Sequence, residues 1–125
     1  MCVLVVEDEP LVRAVAVEAL EAEGFEVIEP PSADYAVTLL RSRDDIDVVF
    51  TNVAMPGTLN GFDLARLVRR TYPHVNVLVC SGALPPGFSG EAPEARFVHK
   101  PYRVAEIAPI IRGMMPGLTL PDGTR

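Results

Sequence analysis

The sequence is short of positive charge, of long apolar runs and of cysteine, and each shortage removes a class of function. Eleven Lys and Arg stand against seventeen Asp and Glu, a net charge of −6. Such a balance argues against wrapping nucleic acid or adsorbing to anionic membrane through bulk electrostatics. No apolar run approaches the roughly 18 residues of a bilayer span. The first apolar run begins at Cys2, which leaves no room for a signal peptide, so the expected location is the cytoplasm. Cys2 and Cys80 are the only cysteines, and each sits inside an apolar run. In a reducing compartment they read as small buried hydrophobes, not as a disulfide or a metal pair. His74 lies beside Pro73 in a loop, and His99 has no second ligand in view.

At 125 residues the chain is one domain, long enough for one good core and too short for two. Cys2–Val6 is an apolar, β-branched run suited to a strand buried on both faces. Pro10 then stands where a helix places its first residue, and Gly24 stops that helix. Leu11/Val12, Val15/Ala16 and Ala19/Leu20 recur at helical spacing and are expected to face the core. A second strand follows over Phe25–Ile28, and Ser32 caps a helix over Ala33–Ser42. Ile46–Thr51 is a third strand, Phe62–Tyr72 a helix ended by Pro73, and Val75–Cys80 a fourth strand. Where the next helix is due, residues 83–93 carry three prolines and two glycines, so one turn or an irregular loop is expected there. Ala95–His99 is the fifth strand and Val104–Met115 the last helix, with a kink or early break expected at Pro109. Pro116–Arg125 has no periodicity and is read as a tail. Strand and helix alternate five times, which predicts an α/β architecture with a parallel sheet covered on both faces by right-handed crossovers.

Four apolar runs stop at polar residues. Val3–Val6 ends at Glu7-Asp8, the central run ends at Asn52 before Met55-Pro56, Val75–Cys80 ends at Ser81, and Phe97-Val98 lies just before Lys100. In an open parallel sheet the carboxyl ends of the strands share one crevice, so these groups are expected to converge there. Singly, each has an ordinary structural explanation. An acidic pair at a helix start caps and complements the dipole, Ser81-Gly82 makes a turn, Lys100 sits on a surface, and Phe97 fills a core.

The ordered set resembles the receiver domain of two-component response regulators over roughly residues 2–115, with 116–125 as a C-terminal tail. The resemblance implies a flavodoxin-like, doubly wound, five-stranded parallel sheet of order 2-1-3-4-5, here with a degraded fourth helix. It implies a phosphorelay module that takes a phosphoryl group from a phosphohistidine with Mg²⁺ as cofactor, and is not otherwise an enzyme. Glu7 and Asp8 match the acidic pair that holds the metal, and the Ala54 backbone carbonyl a further ligand, as suits a hard cation that keeps its waters. Lys100 and Ser81 match the groups that contact the phosphoryl oxygens. Ser81 and Phe97 match the hydroxyl and aromatic that move together in switching. The implied partners are a histidine kinase or histidine phosphotransfer protein docking near the first helix, and an output protein. A homodimer is also compatible; nucleic acid and membrane are not expected.

The chain departs from that pattern at its centre. The phosphoacceptor and third metal-binding position is Asn52, not aspartate. A carboxamide is a poor nucleophile, so phosphorylation there should fail. Mg²⁺ should also bind more weakly with one of three negative charges gone, and Lys100 should keep only a neutral hydrogen bond to Asn52. Two acids repel less than three, so the metal-free fold should be less strained. Both a natural receiver-like protein working without phosphate and an engineered Asp-to-Asn substitution fit. The loop Gly57–Gly61 carries one residue more than the commonest pattern, and the missing fourth helix with Pro109 puts the usual output face in doubt. With no output domain following the last helix, a stand-alone or truncated module is expected. A phosphorylation-independent interaction module is the alternative. A phosphatase-like enzyme would need a nucleophilic Asp with a second Asp two residues on, where the chain has Asn52-Val53-Ala54. A nucleotide or flavin binder would need a phosphate loop after the first strand, where it has Glu-Asp-Glu-Pro.

Overall fold

The computed structural model describes residues 1–53, 59–81, 91–92, 95–99 and 103–114. The chain begins with β1 (Cys2–Val6), α1 (Pro10–Ala22), β2 (Glu26–Ile28), α2 (Ala33–Ser42) and β3 (Ile46–Asn52). It continues with α3 (Gly61–Thr71), β4 (Asn76–Ser81), β5 (Glu91–Ala92), β6 (Ala95–His99) and α4 (Val104–Met114). β2, β1, β3, β4 and β6 lie side by side in that order, all parallel, which is the expected 2-1-3-4-5 arrangement.

A short sixth strand adds to the five parallel ones. β5 pairs antiparallel with the outer side of β6, Glu91 opposite Arg96 and Ala92 opposite Ala95. A short strand there covers backbone groups that the edge would otherwise leave open to another chain. Because Glu91 and Ala92 are extended, no regular helix runs through them. Residues 82–90, which hold the rest of the expected irregular segment, lie outside the described residues, as do the Met55-Pro56 loop and the tail.

Side-chain alternation divides the core into two layers. Leu4 and Val6 of β1 join Val49, Val77, Val79 and Phe97 beneath α2 and α3, which contribute Ala36, Leu40, Leu64, Ala65 and Val68. Val3 and Val5 join Val48, Phe50, Leu78 and Cys80 on the other face, against Ala16, Val17 and Leu20 of α1 and Ile107, Ala108 and Ile111 of α4. α1 ends in a Schellman turn, with the Phe25 amide donating to the Leu20 carbonyl at 3.1 Å and that of Gly24 to Glu21 at 3.0 Å. Gly24 takes φ +96°, which a Cβ would strain.

The buried stripe of α1 differs from the one the spacing suggests. Ala16, Val17 and Leu20 face the core, while Leu11 is 81% and Val15 53% exposed. α1 starts beyond the carboxyl end of β1 and runs back over it, so its first turns overhang the rim of the sheet.

Of the kink or early break expected in the last helix, the break does not occur: α4 passes through Pro109 and continues to Met114. Pro109 and Ala105, whose carbonyl loses its usual amide, are both on the exposed side, within reach of solvent. Ile107, Ala108 and Ile111 hold the opposite side in the core. The proline therefore costs helix propensity without forcing a break. Pro109→Ala is expected to raise stability by about 1–3 kcal/mol. It should appear as a higher urea midpoint at unchanged slope.

Candidate functional site

The parity that builds the two layers also builds the site. Glu7 continues the odd-numbered set of β1, Asn52 follows Val48 and Phe50 in β3, and Cys80 follows Leu78 in β4, all on the α1/α4 side of the sheet. The register sets Val6 beside Thr51 and Asn52 beside Cys80. A carboxylate, a carboxamide and a thiol thus meet in one layer at the carboxyl rim.

The contacts form a chain. Asn52 Nδ2 donates to Glu7 Oε1 at 2.6 Å, and Cys80 Sγ donates to Asn52 Oδ1 at 3.2 Å. A carboxylate accepts and does not donate, so the nitrogen end of the amide must be the one facing Glu7. The second Glu7 oxygen, Oε2, accepts from the Glu9 amide at 3.0 Å, and the Glu7 carbonyl accepts from Arg13 Nη1 at 3.0 Å. Arg13 also pairs with Glu29 at 3.3 Å. Glu7 is 6% and Asn52 7% exposed, so each polar atom lost here would be lost out of reach of bulk water. Behind them, a cavity of about 10 Å³ between these groups and the apolar side chains of Val5, Ala16 and Phe50 has room for about one water.

The end of β3 is pinned from the other side by α3. Asn60 caps that helix, its side chain accepting from the Asp63 amide at 2.9 Å while Asp63 accepts from the Asn60 amide at 3.2 Å. The next residue, Gly61, donates its amide to the Val53 carbonyl at 2.8 Å. A Cβ on Gly61 would collide with the Asn52 carbonyl oxygen and come within 2.8 Å of the Asn52 carbonyl carbon.

Of the other residues singled out from the sequence, Asp8 stands exposed beside Glu7 at the same rim. Phe97 is buried on the opposite face, its ring centroid 5.7 Å from that of Phe62. Ser81 ends β4 one residue beyond Cys80. Its side chain, Ala54 and Lys100 lie outside the described residues, and with Lys100 the expected bond to Asn52. Cys80 and Arg13 were not anticipated as parts of the site. Cys80 is legible in retrospect, since it has the same strand parity as Asn52 on the neighbouring strand.

A second group of possible ligand atoms lies at the opposite rim, where the Cys2 thiol and the Glu26 and Asp45 carboxylates fall within 4.8 Å of one another. Arg43 already engages both acids, at 2.6 Å to Asp45 and 3.5 Å to Glu26. Burial, and then the Glu26 carboxylate, push the Cys2 thiol up to about 11, so it stays protonated at neutral pH. This is an ion-pair network over a buried thiol.

A family model described as "Response regulator receiver domain" matches residues 3–112. The chain belongs to the response regulator receiver family. The receiver is 32% identical to the sensor kinase CckA of Brucella abortus over 117 residues, covering 90% of this chain and 12% of that protein. It therefore spans a small part of that kinase's length. The solved receiver domain of a hybrid histidine kinase CckA superposes with a TM-score of 0.76 at 28% identity, covering 95% of this chain and all of that one. The response regulator TrrA of Thermotoga maritima, solved in complex with Mg²⁺-BeF, gives 0.78 at 22% identity over 91% of this chain and 98% of that one. The fold is flavodoxin-like, and the family serves two-component signalling in response regulators and hybrid kinases. No helix among the described residues is long and apolar enough to cross a membrane.

Receiver domains bind Mg²⁺, and of the residues described here Asp8 is exposed while Glu7 and Asn52 are already engaged with other partners. Both Glu7 oxygens already accept hydrogen bonds, and the Asn52 oxygen is turned to Cys80. The arrangement binds the ends of β1, β3 and β4 to one another. Gly61→Ala is expected to destabilise the receiver by about 1–3 kcal/mol through overpacking against the Asn52 carbonyl. Chemical denaturation would read that loss, and backbone amide shifts concentrated at Asn52 and Val53 would locate it.

Proposed function

We propose that this chain is a two-component receiver module whose phosphoacceptor position is held by Asn52, so that it is not phosphorylated as it stands and acts through protein contacts. The observation that carries the reading is the placement of the Asn52 carboxamide at the carboxyl end of the central strand, bonded to the buried acid that follows β1. In an aspartate-bearing receiver that position supplies both the nucleophile and a metal ligand. A carboxamide supplies neither a good nucleophile nor a negative charge.

On this reading Glu7, Asp8 and the Ala54 carbonyl occupy the metal-binding positions, Ser81 and Lys100 those that face phosphoryl oxygens, and Phe97 that of the switching aromatic. Mg²⁺ affinity is lower than with aspartate at position 52. The module is a signalling element and not a turnover enzyme, with a cytoplasmic location. Its partners are a histidine kinase or histidine phosphotransfer protein at α1, where Leu11, Val12 and Val15 are solvent-exposed, and an output protein. The net charge of −6 disfavours nucleic acid. It works either alone or as one module of a longer protein.

Incubation with acetyl phosphate and Mg²⁺, read by intact mass, tests the assignment. No phosphoryl adduct is expected on the chain itself, and an acid-stable, base-labile one is expected on Asn52→Asp. A stable adduct on the unmodified chain, or none on the variant, would overturn it.

A further inference from the structure

We propose that the Asn52 carboxamide plugs the cation position of this pocket, its Nδ2 group serving Glu7 as an internal stand-in for the metal. The inference rests on the receiver reading and adds the way in which the site is closed. Loss of one negative charge would weaken a cation site whatever neutral residue replaced the aspartate. A plug is a property of the carboxamide alone.

The contacts favour the plug. Nδ2 lies 2.6 Å from Glu7 Oε1, a short, charge-assisted hydrogen bond between two groups that are each more than nine-tenths buried. To offer its oxygen to a cation the amide would have to turn over, breaking that bond together with the one from Cys80 Sγ to Oδ1. Such a turn would also leave Asn52 Oδ1 against the Glu7 carboxylate with no donor between them. Glu7 could not swing out instead without releasing the Glu9 amide from Oε2. A cation can meet the exposed Asp8 carboxylate freely, but to take Glu7 and Asn52 as ligands it has to break the bonds that already join them.

The test is the order of Mg²⁺ affinities among the unmodified chain, Asn52→Ala and Asn52→Asp, by calorimetric titration with MgCl₂ on samples shown folded by thermal melts. Asn52→Ala restores no charge but removes the plug, and is expected to bind Mg²⁺ about tenfold more tightly than the unmodified chain, the equivalent of releasing one charge-assisted hydrogen bond. Asn52→Asp is expected to bind tighter still. If Asn52→Ala binds no better than the unmodified chain while Asn52→Asp does, the plug is wrong and the receiver reading stands. If Asn52→Asp neither binds Mg²⁺ nor takes a phosphoryl group from acetyl phosphate, the receiver reading fails and the plug fails with it. A second measurement is read on the unmodified chain. The Asn52 side-chain NH₂ resonances of the unmodified chain are expected to exchange slowly with solvent and to stay in place at Mg²⁺ concentrations that saturate Asn52→Asp. Their movement at those concentrations would overturn the proposal.

Discussion

A carboxylate buried at the end of a β-strand needs donors, and the structure meets that need for Glu7 with two, the Asn52 carboxamide and the Glu9 backbone amide. Leaving either oxygen bare would cost about 1–3 kcal/mol, a large part of a small domain's margin. Most of the local architecture follows from supplying those donors. β3 must lie beside β1 in a register that sets Thr51 against Val6, so that Asn52 reaches Glu7. The helix after Glu9 must start at once, which Pro10 at its first position favours. Gly61 must be glycine, because the start of α3 rests directly on the Asn52 carbonyl.

The two-layered core explains why the site and the aromatic behind it are separate. Glu7, Asn52 and Cys80 extend the α1/α4 layer, whereas Phe97 belongs to the layer under α2 and α3 and packs on Phe62. The inward placement of that ring is accordingly a matter of packing on the α3 side. The charge balance acts at a third level. Excess acid over the surface selects against polyanionic partners, while the exposed Leu11 and Val15 leave an apolar strip at the rim nearest the site.

How much of this was legible in the sequence depended on whether local or non-local physics decided it. The helix over Ala33–Ser42 was readable residue for residue because a local signal, the Ser32 cap, fixes its start, and its hydroxyl does accept from the Tyr35 amide. Strand alternation with helices gave the parallel sheet for the same reason. The face of α1 was misread because periodicity cannot report where the sheet beneath a helix stops. Leu11 and Val15 fit the apolar spacing but overhang the rim. The strand at Glu91–Ala92 was missed because two residues carry no periodic signal and owe their state to the edge they cover. The early break at Pro109 does not occur, since a proline's cost depends on whether the orphaned carbonyl faces water or core.

Of the three side chains in the hydrogen-bonded chain, the sequence singled out Glu7 and Asn52 and treated Cys80 as bland core. The reason is that residue type alone predicts what a group can ligate, whereas hydrogen-bond direction decides what it does. Aspartate and asparagine have almost the same shape, so a fold that accommodates one accommodates the other, and likeness of fold is insensitive to the exchange. The exchange nevertheless reverses the sense of one bond: where a carboxylate would present an acceptor to Glu7 and require a cation between the two, the carboxamide presents a donor and requires nothing. A family architecture built around a metal-bridged pair of acids can for that reason persist intact in a chain where the pair is joined by a single hydrogen bond.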